Sequence, residues 1–357
     1  MSEQALLELR KVGKRFAAGG DLAARLAGGL SHWLGGQKRA IPDSAADTQA
    51  QTASTVAPAQ PPGVQAVDDV SLSVMRGEVL GLVGESGCGK STLARMAIGL
   101  QSLSTGSRWW RGEDLDSLPT SVRRQRQLGM QMVFQDPYAS LNPRLRVHDI
   151  IGEAPLVHGM VGRAGQQEQV AALLRQVGLD PAVAGRYPHQ FSGGQRARIG
   201  IARALALQPE LLICDEAVAA LDVSIQAQVL DLFMDLREQL GLTYLFISHD
   251  LTVVRHLSDR VAVMYLGRVV ELAPATALFA RPAHPYTIML LACAPRLEPK
   301  KVAFRGPQGE LPSPLDPPPG CHFHPRCEHA TARCRQERPA LQEVEPGHFV
   351  ACHLFTT

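Results

Sequence analysis

The chain has 357 residues, 45% of them apolar and 20% charged, and 36 basic against 34 acidic side chains leave a formal charge of +2. That length suits one large domain with an appendage or two modest domains, and with no basic stripe nucleic acid is not an expected partner. No apolar run reaches the roughly 18 residues that span a bilayer. The N-terminal MSEQALLELRKVGKRF lacks a signal-peptide layout, so a cytosolic chain is expected.

Residues 6–16 (LLELRKVGKRF) read as an early strand of mixed pattern. Composition then shifts to Ala, Gly, Gln, Ser, Thr and Pro over 17–64, an insertion whose later part, 48–62, reads as a solvated linker. Leu22, Leu26, Leu30, Trp33 and Leu34 share one helical stripe within it, read either as a short helix folded onto the domain or partly disordered, or as one docking on a membrane surface or a partner. VLGLVG at 79–84 is a buried strand, followed by a glycine turn and the helix STLARMAIGL. MQMVFQ (130–135), ELLICDE (210–216) and TYLFISH (243–249) are further apolar strands, separated by helical patterns such as 224–240. This alternation predicts an α/β fold with a mainly parallel sheet and helices on both faces. About 137–205 is helical in character and is expected to bud out as an inserted α-helical subdomain. Beyond about 275 proline becomes frequent and a cysteine-rich tail follows. The expected division is therefore 1–275 as one large domain and 276–357 as a small C-terminal appendage.

Gly84, Glu85, Ser86, Gly87, Cys88, Gly89, Lys90 and Ser91 fit G-x-x-x-x-G-K-[ST] between a strand and a helix, which is the context of a phosphate-binding P-loop. Glycines let successive backbone N–H groups and the helix N-terminus, with Thr92 next in line, face phosphates. Lys90 adds a point charge at the β- and γ-phosphates, and the Ser91 hydroxyl suits Mg²⁺. Cys88 inside the loop reads as a packing choice. The strand LLIC ends in Asp215, which can hold Mg²⁺, and then Glu216, which can polarise an attacking water. Ser192, Gly193, Gly194 and Gln195 open another helix and make a second anion-binding N-terminus.

That last segment resembles the signature of ATP-binding-cassette (ABC) ATPases, which implies a RecA-like P-loop NTPase fold and a head-to-tail dimer with two ATP molecules at its interface. Gln135 matches the family's Q-loop glutamine, His249 its switch histidine and Asp222 its D-loop aspartate. The resemblance makes Glu216, His249 and Gln135 the hydrolytic group and Ser91, Gln135 and Asp215 the Mg²⁺ ligands. It places Phe16 where an aromatic stacks on adenine, although the long insertion after it leaves a core phenylalanine as the other reading. Ala217, Val218, Ala219 and Ala220 depart from the family's usual proline and serine without touching the phosphate, metal or base positions.

QDPYASLNPR, RYPHQFSGGQ, ALDVSIQAQVLDL, MYLGRVVE, HPYT and GELPSPLDPPPGCHFHPRC go beyond the general pattern. They resemble bacterial oligopeptide and dipeptide importers, most closely the F-type ATPase subunit, at the inner face of the cytoplasmic membrane. The partners this implies are an unlike D-type ATPase, two permease subunits and an extracytoplasmic peptide-binding protein. Cys321, Cys327, Cys334 and Cys352 suit a [4Fe–4S] cluster or Zn²⁺, or stay free thiols; the family resemblance favours the cluster. Two other functions remain in view: a soluble ABC ATPase of DNA repair or the ribosome, and a nucleotide-sensing regulator. Glu216 and His249 weigh against the last.

Overall fold

Residues 5–17, 63–293, 310 and 312–355 are described in the computed structural model. The described strands are β1 (Ala5–Ala17), β2 (Gly63–Met75), β3 (Val79–Val83), β4 (Thr105–Trp110), β5 (Glu113–Asp114) and β6 (Met130–Val133), followed by β7 (Leu211–Asp215), β8 (Thr243–Ile247), β9 (Arg260–Tyr265), β10 (Arg268–Pro274), β11 (Gln342–Glu345) and β12 (His348–Val350). The helices are α1 (Lys90–Ala97), α2 (Thr120–Gln127), α3 (Val147–Val157), α4 (Arg163–Gln176), α5 (Gly193–Leu205), α6 (Val223–Leu240), α7 (Leu251–Leu257), α8 (Ala275–Ala280), α9 (Pro285–Ala292) and α10 (Ala332–Gln336).

β3, β7 and β8 are buried at every position. Continuous apolar strands of this kind belong in a sheet covered on both faces. They lie in an eight-stranded sheet of order β11-β12-β10-β9-β3-β8-β7-β6. From β9 through β6 all pairings are parallel, as expected from the alternation of strands and helices. Parallel strands end on the same side, so the segments after β3, β6, β7 and β8 converge on one rim, where ligands bind in such folds.

A second sheet was not foreseen. β2-β1-β4-β5 form it with antiparallel pairing. Its Leu7, Leu9, Val67 and Leu72 share a core with Leu93 and Met96 of α1 and with Leu82, Ile213 and Ile247 of the parallel strands. β2 hides in the sequence because register shifts in its pairing with β1 break the apolar alternation. Ala17 pairs with Gly63 at the end of the β1–β2 ladder, so the chain leaves and returns at one point. Residues 18–62 of the expected 17–64 insertion, with the Leu22–Leu34 stripe, lie outside the described residues, while Ala17, Gly63 and Val64 belong to β1 and β2. Over 137–205 the described structure is helical, with α3, α4 and α5 and two short 3₁₀ turns. Among the described residues no helix is long and apolar enough to cross a membrane.

The C-terminal strands extend the main sheet, β12 pairing antiparallel with β10. Glu271 on β10 is 0% exposed and accepts from the backbone N–H groups of Ala283 and His284 at 2.8 and 2.9 Å. Its Oε1 also lies 2.7 Å from His348 Nε2 on β12. Truncating the carboxylate strands these buried partners together. Glu271→Ala should therefore lower the unfolding free energy by about 3–5 kcal/mol, read as a shifted denaturant midpoint.

His284 sits nearby, 1% exposed, with Nδ1 accepting from the Tyr286 amide at 3.0 Å. Burial lowers its pKa from 6.5 to about 4. The folded protein thus keeps it neutral while the unfolded chain takes up a proton below pH 6.5. Stability should be level above pH 6.5 and fall between 6.5 and 4, because the unfolded state binds more protons there. Urea midpoints across pH 4–7 test this; burial lowers His322 to about 4 as well, so His284→Asn, which keeps a capping acceptor without titrating, should reduce the slope without abolishing it.

Candidate active site

The turn after β3 is shaped by backbone that only glycine tolerates. Gly84 and Gly89 have φ of 155° and 107°. A Cβ at Gly84 would collide with the Met264 carbonyl, and one at Gly89 with the Ala66 carbonyl. The loop is therefore pressed against β9 and β2 while its outer edge, Ser86 and Gly87, stays exposed. Lys90 opens α1 with 4% exposure, and its Nζ donates to the Gly84 and Glu85 carbonyls at 2.8 and 3.1 Å. An ammonium is thereby fixed within the loop, and the cradle fits the phosphates of a nucleotide. Thr92 is half-buried one residue beyond Ser91. Cys88 is 1% exposed and burial raises its thiol pKa, which fits a packing role.

The two halves of the site meet through Ser91, whose Oγ donates to Asp215 Oδ1 at 2.8 Å. Asp215 ends β7 with 2% exposure. Burial raises its pKa, opposed by the Ser91 hydrogen bond and nearby Arg95. A hydroxyl and a carboxylate side by side are hard oxygen donors of the kind Mg²⁺ takes.

Glu216 follows in a left-handed conformation, φ 48°, held by its N–H to the Ile247 carbonyl at 3.0 Å. Non-glycine residues rarely adopt this geometry, and it turns the carboxylate away from the strand. Gln135 Nε2 donates to Glu216 Oε2 at 2.8 Å, and His249 Nδ1 lies 3.5 Å from the same oxygen. Three residues from the ends of three parallel strands thus converge on one atom. Glu216 is 13% exposed and His249 56%, so water reaches the group from the histidine side. Ala219 donates its N–H to the Glu216 carbonyl at 3.0 Å, closing the turn without the missing serine hydroxyl.

Ser192 caps α5. Its hydroxyl accepts from the Gln195 amide at 3.3 Å, and the Gln195 side chain accepts from the Ser192 amide at 3.1 Å. This reciprocal box explains the S-x-x-Q spacing structurally. Gly193 and Gly194 lie between them, and a Cβ on Gly194 would strike Ile225 of α6. Ser192, Gln195 and Asp222 are exposed. Phe16 is only half-buried on β1, with the Lys14 ammonium 5.3 Å from its ring centre, so it is not a core phenylalanine. Its partner Val64 lies two residues from Ala66, whose carbonyl backs Gly89.

The expected metal centre in the tail is withdrawn. Cys321, Cys327, Cys334 and Cys352 line one cavity of about 90 Å³. Among the described residues, however, no group of three or more His, Cys, Asp or Glu is arranged to hold a metal ion. Burial pushes the Cys321 thiol up to about 11 and raises Cys327 and Cys352 as well. Neither a [4Fe–4S] cluster nor Zn²⁺ is therefore supported, and the four are free cysteines.

Sequence reading also missed two residues at the loop. Tyr286 receives a hydrogen bond from the Glu85 amide at 2.9 Å, and Arg326 pairs with the Glu85 carboxylate at 2.8 Å. Their motifs, HPYT and HPRC, were visible, but nothing in them signals a partner more than 200 positions away.

Comparison with known proteins gives a consistent result. A family model described as ABC transporter matches residues 67–219, and one described as oligopeptide/dipeptide transporter, C-terminal region, matches 270–334. The chain is 54% identical over 294 residues to a probable peptide ABC transporter ATP-binding protein of Sinorhizobium fredii, covering 82% of this chain and 83% of that one. It is 53% identical over 297 residues to the oligopeptide transport ATP-binding protein AppF of Bacillus subtilis, covering 82% and 90%. With the di/tripeptide transport ATP-binding protein DppF of Pseudomonas aeruginosa it shares 51% over 292 residues, covering 81% and 90%. Among solved structures, an ATP-binding cassette dimer bound to ADP and Pi aligns with a TM-score of 0.58 at 23% identity, over 75% of this chain and 98% of that one. The cbiO1 protein of Clostridium perfringens aligns at 0.59 and 22%, over 78% and 92%. These last two bear on the fold alone. The expected heterodimer with an unlike D-type ATPase is also withdrawn, since the relatives' names describe ATP-binding proteins of peptide transport and no such pairing.

Proposed function

This chain belongs to the ABC transporter ATP-binding proteins, in their oligopeptide and dipeptide branch, and from that premise we propose that it is the ATPase subunit that powers peptide import from the inner face of the cytoplasmic membrane. The observation that carries the reading is the meeting of Gln135, Glu216 and His249 beside the Ser91–Asp215 pair. Gly84, Ser86, Gly87, Cys88, Gly89, Lys90, Ser91 and Thr92 form the phosphate cradle, and Phe16 stacks on the adenine. Ser91, Asp215 and Gln135 would hold Mg²⁺, which supplies charge neutralisation at the phosphates. Glu216 takes the proton of the attacking water while Gln135 and His249 orient its carboxylate. Ser192, Gly193, Gly194, Gln195 and Asp222 serve a nucleotide on a facing cassette, a reading supported by the exposure of Ser192, Gln195 and Asp222. Residues 276–357 are a C-terminal unit fused to the cassette through the β10–β12 pairing.

The test is complementation. Cells lacking this gene should lose uptake of labelled di- or oligopeptides, and the parental chain should restore it while Glu216→Gln does not. Restoration by Glu216→Gln, or undiminished uptake in the deletion, would overturn the reading. Action on DNA or the ribosome is not favoured, since the relatives at about 50% identity are peptide transport proteins.

A further inference from the structure

Among the described residues, the C-terminal segment holds the phosphate loop at Glu85. Its backbone N–H donates to the Tyr286 hydroxyl at 2.9 Å. Its carboxylate receives both arms of the Arg326 guanidinium, Nη1 to Oε2 at 2.8 Å and Nη2 to Oε1 at 3.0 Å. The Arg326 side chain is 3% exposed and that of Glu85 24%. Main chain and side chain of one loop residue are therefore both fixed from outside the loop. A bidentate fork sets orientation as well as distance.

The clamp is itself rigid. Arg326 lies 5.8 Å from the Tyr265 ring centre and 6.0 Å from that of Phe323. Tyr265, Tyr286 and Phe323 pack mutually at 4.6, 5.3 and 5.5 Å, which joins the end of β9, α9 and the tail in one apolar block. The grip is passed on directly, because the Glu85 carbonyl accepts from Lys90 Nζ at 3.1 Å. Arg326, Glu85 and Lys90 thus form a continuous chain of contacts from the tail to the phosphate-facing ammonium. Charge points the same way. A glutamate in a phosphate loop repels a polyphosphate, and an ion-paired guanidinium cancels that repulsion.

We propose that Arg326 and Tyr286 are positioning residues for nucleotide binding, through which the C-terminal segment shapes the P-loop and neutralises Glu85 beside the phosphates. The inference rests on the ATP-binding reading above. In it the tail is a working part of the nucleotide site, 241 residues removed in sequence from the loop it holds.

The experiment is equilibrium titration of the full chain with MgATP, with thermal melts recorded alongside. Arg326→Gln should weaken MgATP binding about tenfold, equivalent to roughly 1.4 kcal/mol. Arg326→Lys should recover part of the loss, since it restores charge without the fork. The decisive variant is Glu85→Gln/Arg326→Gln, which should bind MgATP more tightly than Arg326→Gln alone because the uncovered anion is gone. Tyr286→Phe keeps the aromatic block and should weaken binding a few-fold. A tail that merely docks would lower the melting temperature of these variants and leave the affinity of the folded protein at the parental value, and that result overturns the proposal. Should Arg326→Gln fail to fold, Tyr286→Phe decides, by its MgATP affinity against the parental value. Failure of the parental chain to bind MgATP would instead sink the ATP-binding reading, so the two failures are told apart.

Discussion

Glu216→Gln should bind MgATP as the parent does and fail to hydrolyse it. The substitution keeps size and shape at a site where the carboxylate is 13% exposed. A carboxamide can still accept from Gln135 Nε2 through its oxygen, so the local contacts survive. What it cannot do is take a proton from water. A positioned general base contributes about 10²- to 10⁴-fold to rate, and hydrolysis should fall by that factor. Phosphate release under single-turnover conditions measures the loss, and titration with MgATP should give a dissociation constant within a few-fold of the parent's. Since binding persists without turnover, the variant should also accumulate as a closed, ATP-loaded assembly on size exclusion. Hydrolysis at the parental rate would mean that another group accepts the proton. His249, at 3.5 Å from the carboxylate and 56% exposed, is the nearer candidate.

Why the site was legible and the tail was not comes down to what a linear spacing constrains. Gln135, Asp215, Glu216 and His249 each follow an apolar strand. Parallel pairing brings those strand ends together whatever the loops between them do. The P-loop is legible for a similar reason, since two of its glycines are dictated by backbone that any side chain would block. Cysteine spacing has no such backing. Four thiols separated by five, six and seventeen residues line one cavity without making a ligand set, because their placement in the fold decides that and the gaps do not record it. The antiparallel sheet was missed because β2 has broken alternation, and the Glu85 clamp because its two halves lie in motifs with no internal chemistry.

Lys90→Ala should fail one step earlier than Glu216→Gln, at binding. The ammonium is 4% exposed and donates to two loop carbonyls, so it has little freedom and is already aimed into the cradle. Removing it takes away the point charge at the phosphates and leaves the Gly84 and Glu85 carbonyls without their donor. Hydrogen bonds to charged groups are worth about 1.5–3 kcal/mol each, so losing the two that the ammonium would make to the β- and γ-phosphates predicts an affinity for MgATP lower by about 10²- to 10⁴-fold. Lys90→Arg should not rescue it, because a planar guanidinium is larger than the niche and cannot act as a compact charge. Equilibrium titration checks both variants, and thermal melts confirm that the fold stands. The pairing with Glu216→Gln makes the assignment strict: one variant must lose nucleotide and the other must keep it. A Lys90→Ala chain that binds MgATP with parental affinity would remove the phosphate cradle from the loop at 84–91, even if Glu216→Gln were inert.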